Sequence, residues 1–272
     1  MRTPRRIVVC HLLVALLVGG TALDAHDFWL AATPSSEPAA RVYVVAGHVG
    51  EHFPVPNSPT APDRVDVWRV LGVNGEHAVP RDFYLEGQSL ATKVRLPLTG
   101  VFLGVMTIRA REIDMTGQEF TDYLREEGLD RVIAERARLG QSGTPARERY
   151  ARYAKVVIGH GAPAPHLTRP VGGKAELVPL RDTSSVRPGD TLDVRLLVDG
   201  RPVAGAMISA LDGQGRVDAR TNVEGVATLR LARAGAWLVK TVHMTRPVDA
   251  GTPPADWESF WVTLTFTVAT PP

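Results

Sequence analysis

The residues best placed to do chemistry begin at His26-Asp27-Phe28-Trp29-Leu30, directly after an apolar leader. A histidine at a free amino terminus offers two nitrogens from one residue, the α-amine and the ring Nδ1. Together they close a six-membered chelate on a transition metal, and imidazole suits Ni, Co, Cu and Zn. A second stretch, His48-Val49-Gly50-Glu51-His52, matches the inverted zinc-protease pattern H-x-x-E-H. That chemistry needs both histidines on one helical face, with the glutamate activating a metal-bound water. Gly47, Gly50, Pro54 and Pro56 argue against a helix there, which sets protease chemistry aside. In a strand-to-loop setting His52 can still ligate beside His26, while His48 reads first as a polar loop residue.

His243 follows Trp237, Val239 and Thr241 at a period of two, so all four share one strand face. On such a face a hydrogen-bonded core histidine is the ordinary reading and a ligand the functional one. Asp256 and Glu258 precede the last strand. They serve either as outer ligands, as acceptors for the second N–H of a ligating histidine, or as plain solvated loop residues. Asp27 and His48 join them as weaker metal candidates. No catalytic set stands out. There is no G-x-S-x-G and no phosphate-cradling glycine loop with lysine, so an enzyme is not expected.

Met1 to Ala25 has the three parts of an export signal: Arg2, Arg5 and Arg6, an apolar run from Ile7 to Val18, and small residues after it. The Arg5-Arg6 pair raises the twin-arginine route. The run is short for a membrane span, and no later segment is long and apolar enough for one. Small-x-small spacing favours a cut after Ala22, with Gly20 at −3; a cut after Ala25 has Leu23 there. The leader carries three arginines and Asp24, which leaves 28 basic and 28 acidic residues of the chain's 31 and 29. A near-neutral remainder argues against nucleic acid as a partner. The single cysteine, Cys10, leaves with the leader, so any metal site must use histidine, carboxylate or backbone groups.

The elements that must position these residues read as mainly β. Short alternating runs such as Arg41–Val45, Arg64–Val70 and Thr92–Leu98, punctuated by glycine and proline, predict a sandwich-like unit over 26–110. The period then changes. Thr116-Gly117-Gln118-Glu119 fits a capping box, and Gly128 and Gly140 stop two helices. Thr144-Pro145 opens a third, with Tyr150, Tyr153, Ala154 and Val157 at helical spacing. A helical insert is therefore expected over 111–160 and a Gly/Pro-rich linker over 161–173. From 174 to 270 about seven short strands, with turn signals at Asp199-Gly200 and Asp212-Gly213, read as an immunoglobulin-like sandwich.

The C-terminal stretches RPVAGAMISALDGQG, TNVEGVATLRL and AGAWLVKTVHM resemble a carboxypeptidase-regulatory-like Ig domain. Nearly the whole mature length resembles a family of bacterial periplasmic proteins, long filed as a domain of unknown function and partly described as the periplasmic component of nickel/cobalt uptake. The marks are the leader followed by His26-Asp27-Phe28-Trp29, then Gly50-Glu51-His52-Phe53, Tyr123-Leu124, Gly128-Leu129, Arg152-Tyr153-Ala154-Lys155, Val242-His243-Met244 and Asp256-Trp257-Glu258-Ser259-Phe260-Trp261. The resemblance implies a cut just before His26. It also gives His26, His52 and His243 the strongest motif support, so these three are expected to converge on one ion.

The leading expectation is thus an exported, periplasmic protein that binds Ni or Co, with Cu or Zn as alternatives, and passes it to a membrane transporter component. An envelope interaction module with structural histidines is the alternative, and a copper protein with an N-terminal histidine brace a third reading. N-terminal sequencing of the exported protein is expected to read His-Asp-Phe-Trp; a sequence starting at Leu23 would remove the amino-terminal chelate.

Overall fold

The computed structural model describes residues 26–35, 41–97, 99–159, 163–249 and 254–270. The leader and its cut site lie outside the described residues. The strands run β1 (Asp27–Pro34), β2 (Val42–Gly50), β3 (Val65–Gly72), β4 (Gly75–His77), β5 (Tyr84–Glu86), β6 (Ser89–Arg95) and β7 (Phe102–Met115). Helices α1 (Gly117–Glu126) and α2 (Asp130–Arg138) follow. The chain then continues through β8 (Ala146–Ile158), β9 (Ala175–Pro179), β10 (Thr191–Val198), β11 (Arg201–Pro202), β12 (Met207–Leu211), β13 (Arg216–Arg220), β14 (Val226–Arg230), β15 (Gly235–Thr245) and β16 (Trp257–Val268).

The fold is mainly β and sandwich-like, as the alternation predicts. Eight strands form a central sheet in the order β13-β12-β15-β16-β8-β7-β3-β4. Smaller sheets cover its two faces. Side chains alternate across a strand, so Lys240, Val242 and Met244 of β15 point to one face, termed inner, and Val239, Thr241 and His243 to the outer face. The β1-β2-β6-β5 sheet lies on the inner face, where Phe28, Leu30, Val45 and Leu90 meet Met106, Ala154 and Val156. The helices cover the rest of that face, packing Phe120, Tyr123 and Leu124 on Val242, Trp257 and Trp261. On the outer face β9, β10 and β14 bring Leu177, Val194 and Leu229 against Trp237, Val239, Leu264 and Phe266. The N- and C-terminal β regions therefore share one sheet: β3, β4 and β7 continue through β8 into β16, β15, β12 and β13.

The predicted capping box is present. Thr116 N donates to Glu119 Oε2 at 2.8 Å, and Glu119 N donates to Thr116 Oγ1 at 3.3 Å. Just past the Glu127 cap of helix α1 stands Gly128, whose φ is +62° and whose added Cβ would meet Met207 Sδ at 2.7 Å. At the Asp199-Gly200 turn both residues have positive φ, the conformation a tight hairpin of this hand requires.

The expected third helix is corrected: residues 146–158 are strand β8, antiparallel to β7 and parallel to β16. Tyr150, Tyr153, Ala154 and Val157 do fall at helical spacing, but a period of two wins. Ala146, Glu148, Tyr150, Arg152, Ala154, Val156 and Ile158 are all buried. Glu148 and Arg152 hid that alternation because charged residues are seldom buried without partners, and both have partners. Among the described residues no helix is long and apolar enough to cross a membrane.

Candidate functional site

The start of β1 is fastened to the inner face residue by residue. Arg152 Nη2 of β8 donates to the His26 carbonyl oxygen at 3.0 Å. Lys240 Nζ of β15 donates to both Asp27 carboxylate oxygens at 2.9 Å. Thr263 Oγ1 of β16 donates to the Phe28 carbonyl oxygen at 2.8 Å. Phe28 and Trp29 are each 1% exposed, so two large rings add their burial to these bonds, together worth about 3–6 kcal/mol.

Lys240 has a second partner, Glu127 Oε1, at 2.8 Å. Glu127 caps the C-terminus of α1. The reversal at Gly128, with Leu129 N donating to Leu124 O at 2.8 Å, turns the chain there. One ammonium thus joins the N-terminal strand, the helical hairpin and the C-terminal strand, with all three side chains buried. Burial alone would lower the Lys240 pKa, but the facing charges of Asp27 and Glu127 hold it above its ordinary value. The Glu127 carboxyl is pushed up by burial; the Lys240 charge opposes this and the Asp27 charge adds to it.

A second buried polar group lies beside the helices. Glu148 of β8 accepts hydrogen bonds from Tyr123 Oη at 3.0 Å and from the Ser259 hydroxyl. Tyr123 in turn stacks on Trp261, with ring centroids 5.6 Å apart. Burial pushes the Glu148 carboxyl up to about 7, against those two hydrogen bonds.

The expected metal ligands are distributed as follows. His26 Nε2 lies 3.7 Å from Glu51 Oε1, the two residues standing one step beyond the Asp27–Gly50 end of the antiparallel β1–β2 ladder. The imidazole is buried and the carboxylate half exposed. His52, the next residue, is exposed on a turn in which Val55 N donates to its carbonyl. His48 faces Trp29, ring to ring at 5.6 Å, and its Nδ1 is 2.7 Å from Ser89 Oγ. His243 points to the outer face and stacks on Phe260, with centroids 6.4 Å apart. Burial, then the Arg131 charge, lowers its pKa.

The sheet therefore separates His243 from His26, and the expected convergence of His26, His52 and His243 is corrected. Asp27 is committed to Lys240. Asp256 Oδ2 accepts from Arg147 N at 2.8 Å, and Glu258 pairs with Arg149 at 3.2 Å on the outer face. Among the described residues no group of three or more His, Cys, Asp or Glu stands ready to hold a metal ion. Glu51, Glu127, Glu148, Arg152 and Lys240 were not among the expected site residues. The signal for the last three was a charged side chain at an inward position of an alternating strand.

A family model matches residues 23–245, from just before His26 to the end of β15. The chain belongs to that family, described as Domain of unknown function (DUF4198). No curated protein matches the chain. Among solved structures it is similar to a chain from a 1.5-MDa bacterial ice-binding adhesin described for host cell surface retention, at 11% identity and a TM-score of 0.25. That match covers 90% of this chain and 65% of the other. It is also similar to the Bacillus anthracis TIE protein, at 10% identity and a TM-score of 0.17, covering 90% of this chain and 40% of that one. The chain thus spans less than two thirds of either, and likenesses this low fix nothing beyond themselves.

Lys240→Met is expected to destabilise the fold by about 3–5 kcal/mol, because it strands two carboxylates in the interior. Adding Glu127→Gln should recover part of the loss in urea unfolding; an unchanged midpoint for Lys240→Met would mean the contact carries no stability. Glu148 gives a pH dependence. Its folded-state pKa of about 7 lies above the ordinary 4.5, so the folded state holds the proton more tightly. The stability it contributes is fully present below the unfolded value and is lost as pH rises through about 7. Unfolding free energies measured from pH 4.5 to 8 should fall less steeply in Glu148→Gln than in the parent.

Proposed function

We propose that this is an exported, periplasmic protein that binds a divalent transition-metal ion as cargo through the α-amine and Nδ1 of His26, once Met1–Ala25 has been removed. The observation that carries the reading is the Glu51 carboxylate 3.7 Å from His26 Nε2. When Nδ1 and the amine hold a metal, Nε2 bears the proton. A ligating histidine is oriented by donating that N–H to a carboxylate or carbonyl, which also raises its basicity. Glu51 is the carboxylate that faces it, at 3.7 Å an ion-pair contact longer than a hydrogen bond. The Arg152 bond to the His26 carbonyl and the Asp27–Lys240 contact hold the backbone from which the chelate would be built.

Two protein donors, with solvent filling the remaining positions, bind reversibly, as delivery to a membrane transporter component requires. Such a chelate follows the general affinity order, in which Cu binds more tightly than Ni, Co or Zn. The preference for Ni or Co rests on the family resemblance. A second reading, an envelope interaction module with an Ig-like C-terminal half, is favoured by the commitment of Asp27 to Lys240, which gives the His-Asp-Phe-Trp stretch a structural purpose without metal.

Calorimetric titration with Ni(II) distinguishes the two. Protein starting at His26 is expected to bind one equivalent. Protein with a single alanine ahead of His26 should bind at least about tenfold more weakly, or about 1.4 kcal/mol, because its amine no longer closes the six-membered ring. Glu51→Gln should weaken binding by less, and His243→Ala should leave it unchanged. Equal affinity with and without the added alanine would reject the chelate and leave the interaction module.

A further inference from the structure

We propose that the fork between the carboxyl ends of β8 and β16 is a binding site for a small uncharged molecule, an apolar or aromatic ring that carries a hydrogen-bond-accepting oxygen. The fork lies at the opposite end of β1 from His26, beside Pro34, and does not depend on the metal reading.

The two strands run parallel from Glu148 beside Trp257 to Val156 beside Thr265, and their register stops there. Both strands nevertheless run on. β8 continues to Ile158 alongside Phe102 of β7, and β16 continues to Val268 alongside Gly235 of β15. Each is held by its other neighbour while the pair opens between them. The opening is a cavity of about 360 Å³. Ala32, Gly159 and Ala269 line it, where larger side chains would fill it. A cavity of about 150 Å³ accommodates a benzene ring, so this one has room for a ring with a substituent of several atoms.

The lining decides the charge of the ligand. Phe266, 2% exposed, gives the cavity an aromatic wall, and Val157 and Pro34 extend its apolar surface. Among the described residues no Asp, Glu, Lys, Arg or His lines it. An ion taken from water into this place would meet no opposite charge, and an unpaired buried charge is costly. The ligand is therefore uncharged.

The need for an oxygen follows from Tyr43, which lines the cavity and is 7% exposed. Its Oη accepts from Arg41 Nε at 3.0 Å. Arg41 is itself held: Nη1 donates to the Pro97 carbonyl at 3.2 Å. Gly159, at φ +84°, lets the guanidinium lie against the backbone, where an added Cβ would collide with it. With its oxygen fixed by a cationic donor, the Tyr43 hydroxyl keeps its own proton to give, and no acceptor for that proton stands among the described residues. Accepting one hydrogen bond also strengthens the next one donated. Thr183, 1% exposed, lines the same cavity, and its hydroxyl likewise has no partner among the described residues. A ring against Phe266 with a carbonyl oxygen on the Tyr43 hydroxyl uses both features of the fork.

Ligand-observed NMR on the full chain tests this with acetophenone, propiophenone and cyclohexanone as probes. Benzoate and benzylammonium are charged counterparts of similar shape, and cumene is the counterpart without oxygen. At least one ketone is expected to bind saturably, and at least about tenfold more tightly than either ion. Tyr43→Phe removes only the hydroxyl. It should weaken that ketone by about threefold to tenfold, the range for one neutral hydrogen bond, and leave cumene unchanged. Ala269→Phe fills the cavity from just past the end of β16 and should abolish ketone binding while the unfolding curve stays that of the parent. The proposal is overturned if none of the three ketones binds up to millimolar concentration or if an ion binds as tightly as the ketone. It is equally overturned if Tyr43→Phe spares the ketone or weakens cumene as much, or if Ala269→Phe binds like the parent.

Discussion

The Lys240 ammonium between the Asp27 and Glu127 carboxylates is the contact on which the rest of the structure depends. Taking three charges out of water is costly, and a buried pair of this kind is poor stabilisation compared with apolar residues of the same volume. Its value lies in uniqueness. Apolar packing tolerates small slides of one layer over another, whereas a buried cation accepts a carboxylate at one position only. Moving β1 by a single residue would also turn its side chains over, withdrawing Asp27 from Lys240 and exposing Phe28 or Trp29. The register of the N-terminal strand, and with it the position of His26, is set by an interaction more than two hundred residues long-range in sequence.

The same contact explains why the helical hairpin sits where it does. Glu127 reaches Lys240 only because the chain reverses at Gly128, at the end of a helix whose start is fixed by the Thr116–Glu119 box. Helix α1 is therefore tied at both ends, by reciprocal side-chain and backbone bonds at its start and by a buried charge at its cap. Its apolar side then closes over Glu148, burying that carboxyl beneath Tyr123 and Trp261. Burial of one acid by a helix held through another couples the protonation of both to the seating of the hairpin.

Local signals were legible wherever the chain makes its own partners. The capping box, the turn at Asp199-Gly200 and the alternating runs at Arg41–Val45 and Arg64–Val70 all stand as the sequence predicts. What was not legible depends on partners distant in the chain. β8 looks helical because its inward series contains Glu148 and Arg152, whose hydrogen-bond partners come from Tyr123, Ser259 and His26. Asp27 looked like a ligand because nothing near it in sequence announces Lys240. His243 was grouped with His26 on motif support, which says that both belong to a pattern but not which face of a sheet each occupies. Glu51 was in view inside H-x-x-E-H, yet its relation to His26 appears only when β1 and β2 pair.

β8 shows how one strand ties together the two faces of the sheet. Arg152 points inward and holds the His26 carbonyl, while Tyr153 and Lys155 point outward, one packed against Phe260 and the other paired with Glu176. The bulge in β7 between Ile108 and Arg111 lies opposite this same stretch, and parallel pairing with β16 fixes its other edge. Because alternation ties the two faces together, a shift that carried Arg152 off His26 would also turn Tyr153 away from Phe260. The amino terminus and the Tyr153–Phe260 packing on the outer face are therefore not independently adjustable: the geometry of each is set by the strand between them.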